Sequence, residues 1–84
     1  MKKVLITGCS RGLGLAMAKR FSLESWQVAG CSRRNDDLDP LRKEMGSPHI
    51  FIPADVADEE SVHGFCQVIL EEMGPPDLLL NNAA

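Results

Sequence analysis

The sequence predicts an α/β fold, a partial doubly wound parallel sheet with elements in the order βαβαβαβ and strands in the order 3-2-1-4. Three observations predict it. Four short apolar runs recur along the chain, Val4-Leu5-Ile6, Val28 to Cys31, Ile50-Phe51-Ile52 and Leu78-Leu79-Leu80. Stretches with helical spacing separate them. A glycine-rich turn, Thr7-Gly8-Cys9-Ser10-Arg11-Gly12-Leu13-Gly14, joins the first run to the first helix. Strands that are apolar throughout, rather than at every second residue, are buried on both faces, as in parallel sheets covered by crossover helices. Right-handed crossovers then fix the winding.

The elements follow in order. Val4 to Ile6 reads as a buried strand ended by Gly8. The helix after the turn runs to about Glu24 and offers Leu13, Ala16, Met17 and Phe21 on one face. Lys19 and Arg20 lie near its end, where cations suit the helix dipole. Trp26 is expected to pack at the turn into the next strand. Gln27 to Ser32 is the second strand, with Gly30 small enough to admit a close neighbour. Asp39 before Pro40 fits the start of a second helix, with a start near Asp36 as the alternative. That helix ends by Gly46, and Pro48 forbids its continuation. His49 to Ile52 is the third strand, closed by Pro53. Asp58 is the expected cap of the third helix, with Glu59 and Glu60 in its first turn. Its apolar face is Val62, Phe65, Cys66, Ile69, Leu70 and Met73, the clearest periodicity in the chain. Gly74-Pro75-Pro76 ends it, and Asp77 to Leu80 is the fourth strand.

Composition narrows the function. The 84 residues carry a net charge of −3 and are 44% hydrophobic. Such a balance gives no basic field for nucleic acid. Met1-Lys2-Lys3 and the apolar run after it are too short for a signal peptide, and no run approaches the ~20 apolar residues of a membrane span. A cytoplasmic protein without membrane or nucleic-acid partners is expected. Cys9, Cys31 and Cys66 are too few and too scattered for a disulfide framework. His49 and His63 are isolated, so no metal site is expected.

The turn carries the chemistry. Gly8, Gly12 and Gly14 follow a strand and open a helix inside a strand-helix-strand unit, the context in which glycines let a backbone approach a dinucleotide pyrophosphate. Free N–H groups at the helix N-terminus favour an anion there. Without a Gly-Lys-Ser/Thr ending, the turn does not read as a triphosphatase loop. At the end of the second strand an NAD site places a carboxylate for the ribose 2′-hydroxyl. This chain has Ser32, Arg33 and Arg34 instead, and Arg11 approaches from the turn. Guanidinium groups bind a 2′-phosphate that a carboxylate would repel, so NADP is expected rather than NAD. A lone arginine would read as surface charge; three at one corner do not. Asp55 can accept from an adenine amino group, with Val56 against the ring, or it can cap a turn. Asn81 and Asn82 stand at the tip of the fourth strand, beside the switch point where open α/β sheets bind ligands, although Asn also commonly ends strands. Cys9 and Ser10 have no activating base and read as loop residues whose backbone N–H groups matter more.

Taken together, Thr7 to Gly14, Asp55-Val56 and Asn81-Asn82-Ala83-Ala84 resemble the N-terminal part of a classical short-chain dehydrogenase/reductase, across the whole chain. The resemblance implies that residues 1–84 are the N-terminal part of one NAD(P)-binding Rossmann domain. By that resemblance Gly8, Gly12 and Gly14, with Ser10 and Leu13 between them, form the pyrophosphate turn. Arg11 and Arg33, with Ser32 and Arg34 beside them, read the 2′-phosphate. Asp55 and Val56 hold the adenine, Asn81 stabilises the sheet, and Asn82 and Ala83 pass the adenosine ribose. The family motif usually ends in glycine, where this chain has Ala84.

The family's catalytic Ser and Tyr-x-x-x-Lys lie downstream of these motifs, and this chain has no tyrosine. No catalytic residue carries over. The expectation is the cofactor-binding portion of an NADP-dependent oxidoreductase acting on a carbonyl or alcohol, truncated before its catalytic half, inactive alone, and with oligomer contacts only at full length. A non-catalytic nucleotide-binding module is the alternative. A methyltransferase-like site for S-adenosylmethionine would want an acidic residue where Ser32-Arg33 stands. The isolated chain is expected to be marginal and aggregation-prone, because its fourth strand is a bare edge beside an incompletely covered sheet face. A cooperative thermal melt of a soluble 84-residue monomer would refute this.

Overall fold

A computed structural model describes residues 1–82. The strands are β1 (Lys3–Thr7), β2 (Gln27–Ser32), β3 (Ile50–Pro53) and β4 (Leu78–Asn81). The helices are α1 (Gly12–Leu23), α2 (Asn35–Met45) and α3 (Glu59–Glu72). All four strands are parallel, in the order β3-β2-β1-β4. Thr7 pairs with Cys31 on one side and Asn81 on the other, so the carboxyl ends of β1, β2 and β4 meet at one sheet edge. This is the Rossmann-like winding that the sequence predicts. Among the described residues no helix is long and apolar enough to cross a membrane.

Each face of the sheet has its own core. Val4, Ile6 and Val28 point to the side of α1 and α2, where they meet Ala18, Leu38, Leu41 and Phe51. Leu5, Ala29 and Cys31 point to the other side, against Phe65 and Ile69 of α3 and Met73 at its C-terminal cap. Strands buried on both faces are apolar at every position, which is why β1 and β2 carry no alternation. β4 is the thinly covered strand, with Leu79 58% exposed. Trp26 packs edge-on against Phe21 at 4.9 Å between ring centroids, at the turn into β2.

Three expectations are corrected. The buried positions of α1 are Gly14 and Ala18, with Leu15, Met17 and Phe21 partly buried against the same core. Leu13 is 67% exposed, and Ala16 is exposed as well. The helix lies close to the sheet on its small residues, and close packing rather than hydrophobicity selects that face. α2 begins at Asn35 with Arg34 as its cap, in line with the alternative start near Asp36, so Pro40 is inside the helix rather than at its first position. Burial of Leu38 and Leu41 on one face holds the helix together across the hydrogen bond that proline cannot donate. α3 keeps most of its expected face, with Phe65, Ile69 and Met73 buried and Val62 and Cys66 partly so, but Leu70 is 53% exposed and does not belong to it. The Asp58 carboxylate caps the helix as expected, accepting from the Glu60 N–H at 3.1 Å.

His49 ties β2 to the segment before β3. Its Nδ1 accepts from the Val28 N–H at 3.0 Å, and its Nε2 lies 3.0 Å from the Ser22 hydroxyl. An Nδ1 that accepts belongs to the neutral ring. Burial lowers the pKa of this histidine below its ordinary 6.5. The unfolded chain therefore takes up the proton first, and the stability contributed by the neutral ring is present above pH 6.5 and lost as the pH falls below it. We predict that urea-unfolding stability falls on acidification from pH 7 to 5 and that His49→Asn removes the part of this fall due to the imidazole. Identical pH profiles for the two proteins would refute it.

Candidate cofactor-binding cleft

The carboxyl ends of the strands open into a cleft of about 780 Å³. The glycine turn forms its floor. Gly8 and Gly12 both have positive φ, at 65° and 59°. Gly12 has open space around it, so its requirement is conformational. Gly14 has the opposite requirement: a Cβ there would overlap the Gly8 carbonyl oxygen and lie 2.7 Å from the Asn82 amide nitrogen. The first turn of α1 can rest on the end of β1 only because residue 14 has no side chain.

The tip of β4 braces this contact. The Asn82 Nδ2 donates to the Gly8 carbonyl at 3.0 Å, and the Asn82 main-chain N–H donates to the Thr7 hydroxyl at 3.0 Å. The Thr7 hydroxyl donates in turn to the Asn81 Oδ1 at 3.0 Å. On the other side, the Ser10 and Ser32 hydroxyls lie 3.1 Å apart and join the turn to the end of β2. Cys9 is fully buried, and a Cβ on Gly30 would lie 2.5 Å from its sulfur, so Gly30 makes room for that thiol.

α1 has neither a side-chain cap nor an acidic residue in its first turn. α3 has both, and α2 has two aspartates. The positive end of α1 thus faces the cleft with no carboxylate of its own against it, which favours an external anion.

Gly8, Ser10, Arg11, Gly12 and Leu13 line the cleft from the turn. Ser32, Arg33 and Arg34 line it from the end of β2, and Val56 and Asn82 close the other sides. The exposure of Leu13 is explained by this position. Gly14 is buried beneath the floor. Asp55 does not line the cleft: its Oδ1 accepts from the Ala57 N–H at 3.0 Å, and its own N–H donates to the Ser61 hydroxyl at 2.8 Å. Ala83 and Ala84 lie outside the described residues. Three lining residues had no place in the sequence reading, Cys31, Ala54 and Asp37. Cys31 and Ala54 belong to the strand ends already implicated. Asp37 follows from the alternative start of α2 near Asp36, which places it one turn after Arg34.

The thiols do not supply a nucleophile. Burial pushes the Cys9 thiol up to about 12, with the nearby Cys31 adding to the shift. Burial also raises Cys31, against the Gly8 backbone hydrogen bond, which lowers it. Both remain protonated at neutral pH, and the thiolate is the reactive form.

The sequence model of the family described as short chain dehydrogenase matches residues 2–84. The chain belongs to this family. An NADPH-dependent pterin aldehyde reductase of Arabidopsis thaliana is 39% identical over 84 residues, covering 98% of this chain and 35% of the relative. A serine 3-dehydrogenase of Rhizobium radiobacter is 38% identical over 80 residues, covering 95% of this chain and 32% of the relative. A crystal structure of a short-chain dehydrogenase from Streptomyces avermitilis superposes with a TM-score of 0.92 at 34% identity, over 99% of this chain and 31% of that protein. The chain spans about a third of the length of each of these relatives. It carries the cofactor-binding region of a short-chain dehydrogenase.

Gly14→Ala is expected to destabilise the protein by about 1–3 kcal/mol or more, because the clash is with backbone that cannot rotate away. Gly64→Ala serves as the contrast. Gly64 sits inside α3 with nothing near its Cβ position. The methyl group there should stabilise by about 0.5–1 kcal/mol. Urea-unfolding midpoints that move in the same direction for the two variants would contradict this account of the turn.

Proposed function

We propose that this chain is the cofactor-binding portion of an NADP-dependent oxidoreductase that transfers hydride between NADPH and a carbonyl or alcohol substrate. The observation that carries the choice of NADP is the corner at the end of β2, where Arg11, Arg33 and Arg34 line one cleft and no carboxylate stands directly after the strand. The NADPH-dependent relative supports it.

The residues fit the cofactor in parts. The main-chain N–H groups of the glycine turn and the uncapped end of α1 bind the pyrophosphate. Arg33 and Arg34 bind the 2′-phosphate from the β2 side, Arg11 binds it from the turn, and the Ser32 hydroxyl adds a donor. Val56 lies against the adenine. Asp55, engaged with Ala57 and Ser61, holds the loop that presents Val56, and reaches the adenine amino group only through its free acceptor capacity. Asn82 orients the turn and passes the adenosine ribose, with Ala83 and Ala84 following it.

When bound, the nicotinamide supplies or accepts the hydride. Residues 1–84 bind and orient the cofactor but contain no tyrosine to act as the family's general acid/base. We infer that on their own they are inactive.

Fluorescence titration tests the assignment. NADPH should bind more tightly than NADH. Arg33→Ala should weaken NADPH by about tenfold or more, the scale of one lost charge-assisted hydrogen bond, and should leave NADH nearly unchanged. Tighter binding of NADH by the unaltered protein would refute the arginine argument.

A further inference from the structure

One acidic residue among those described lines the cleft that holds Arg11, Arg33 and Arg34. Asp37 lies in the first turn of α2, where its N–H donates to the Arg34 carbonyl at 3.1 Å, and it lines the same cleft as Arg33 and Arg34. Among the described residues, the ion pairs join Lys19 to Glu44, Arg20 to Glu24 and Arg42 to Asp39. None of them neutralises Asp37 or occupies any of the three cleft arginines. The acidic neighbour Asp36 does not line the cleft.

We propose that Asp37 is a specificity-determining residue. Its carboxylate repels the 2′-phosphate that the arginines attract, so the site discriminates less between NADPH and NADH than its arginines alone would allow. The inference rests on the NADP reading above. The physical basis is direct. A 2′-phosphate seated among Arg11, Arg33 and Arg34 shares its cleft with Asp37. At physiological salt, charges within about 8 Å of one another are only partly screened. NADH has a neutral hydroxyl at that position and does not meet the repulsion. The carboxylate therefore acts on one cofactor and not on the other, whereas an arginine brings both the attraction and the geometry.

Titrating the full chain with NADPH and NADH tests this. Asp37→Asn keeps a residue that tolerates a helix first turn and removes the charge. It should tighten NADPH by about 3- to 10-fold at low salt, and much less near 1 M salt, where screening shortens to about 3 Å. NADH should change less than about twofold, because only long-range charge on its pyrophosphate is affected. Asp36→Asn makes the same change in net charge off the cleft and should alter NADPH affinity by less than about twofold. The inference is overturned if Asp37→Asn leaves NADPH affinity unchanged, tightens NADH equally, or acts no more strongly than Asp36→Asn. If the unaltered chain binds NADPH and loses it on Arg33→Ala, such a result removes the role of Asp37 alone. If the unaltered chain, shown to be folded by circular dichroism, binds neither dinucleotide, the NADP reading falls, and the role of Asp37 with it.

Discussion

The first turn of α1 rests directly on the Gly8 carbonyl, leaving no room for a Cβ on Gly14. The rest of the site depends on that contact. It sets the height of the helix N-terminus above the sheet edge and points the unpartnered N–H groups into the cleft. It also leaves the Gly8 oxygen needing a partner, which the Asn82 amide provides from the far side of β1. One missing side chain thus connects β1, α1 and the tip of β4, three parts of the chain more than sixty residues apart at their extremes. The parallel register makes this possible, because it brings Thr7, Cys31 and Asn81 to the same level.

Much of this was legible in the sequence. The apolar runs located all four strands, and those of β2 matched to the residue. The spacing of Val62, Phe65, Cys66, Ile69, Leu70 and Met73 located α3, with Asp58 before it as the cap, although Leu70 turns out exposed. Periodicity succeeds there because large side chains fill the interface. It fails on α1, where the interface is made by Gly14 and Ala18. Small residues carry little hydrophobic signal, so the leucine that stands out, Leu13, was assigned to the core and instead faces the cleft. At the start of α2 the sequence offers two readings, and the earlier one, near Asp36, is the one observed. Asp39-Pro40 has the local chemistry of a helix start, but burial of Leu38 and Leu41 extends the helix back to Asn35.

The site was legible as a set of residue types and not as a set of contacts. The glycine spacing and the arginines after β2 could be read directly, because each is local in sequence. The amide of Asn82 on Gly8 and the Ser10–Ser32 contact are pairings across 74 and 22 residues, and nothing local encodes them. Asp37 went unread because its place in the cleft follows from the helix boundary. Asp55 could be read either as a ligand or as a turn cap. The geometry gives it the turn-capping hydrogen bond, and its remaining acceptor capacity decides nothing further.

The two halves of the cleft differ in how they meet a ligand. The glycine turn presents main-chain donors that are held by Gly14, Asn82 and the strand ladder, so little conformational freedom is lost when an anion arrives. The corner at the end of β2 presents long exposed side chains that must be ordered on binding, at roughly 2 kcal/mol of rotamer entropy for each arginine. A preorganised turn suits the part common to both dinucleotides. A corner of flexible charges suits the part in which they differ, because substitutions there alter the balance of attraction and repulsion without touching the packing beneath Gly14. On the proposed NADP reading, cofactor preference would be set at Arg33, Arg34 and Asp37, while the packing beneath Gly14 stays fixed.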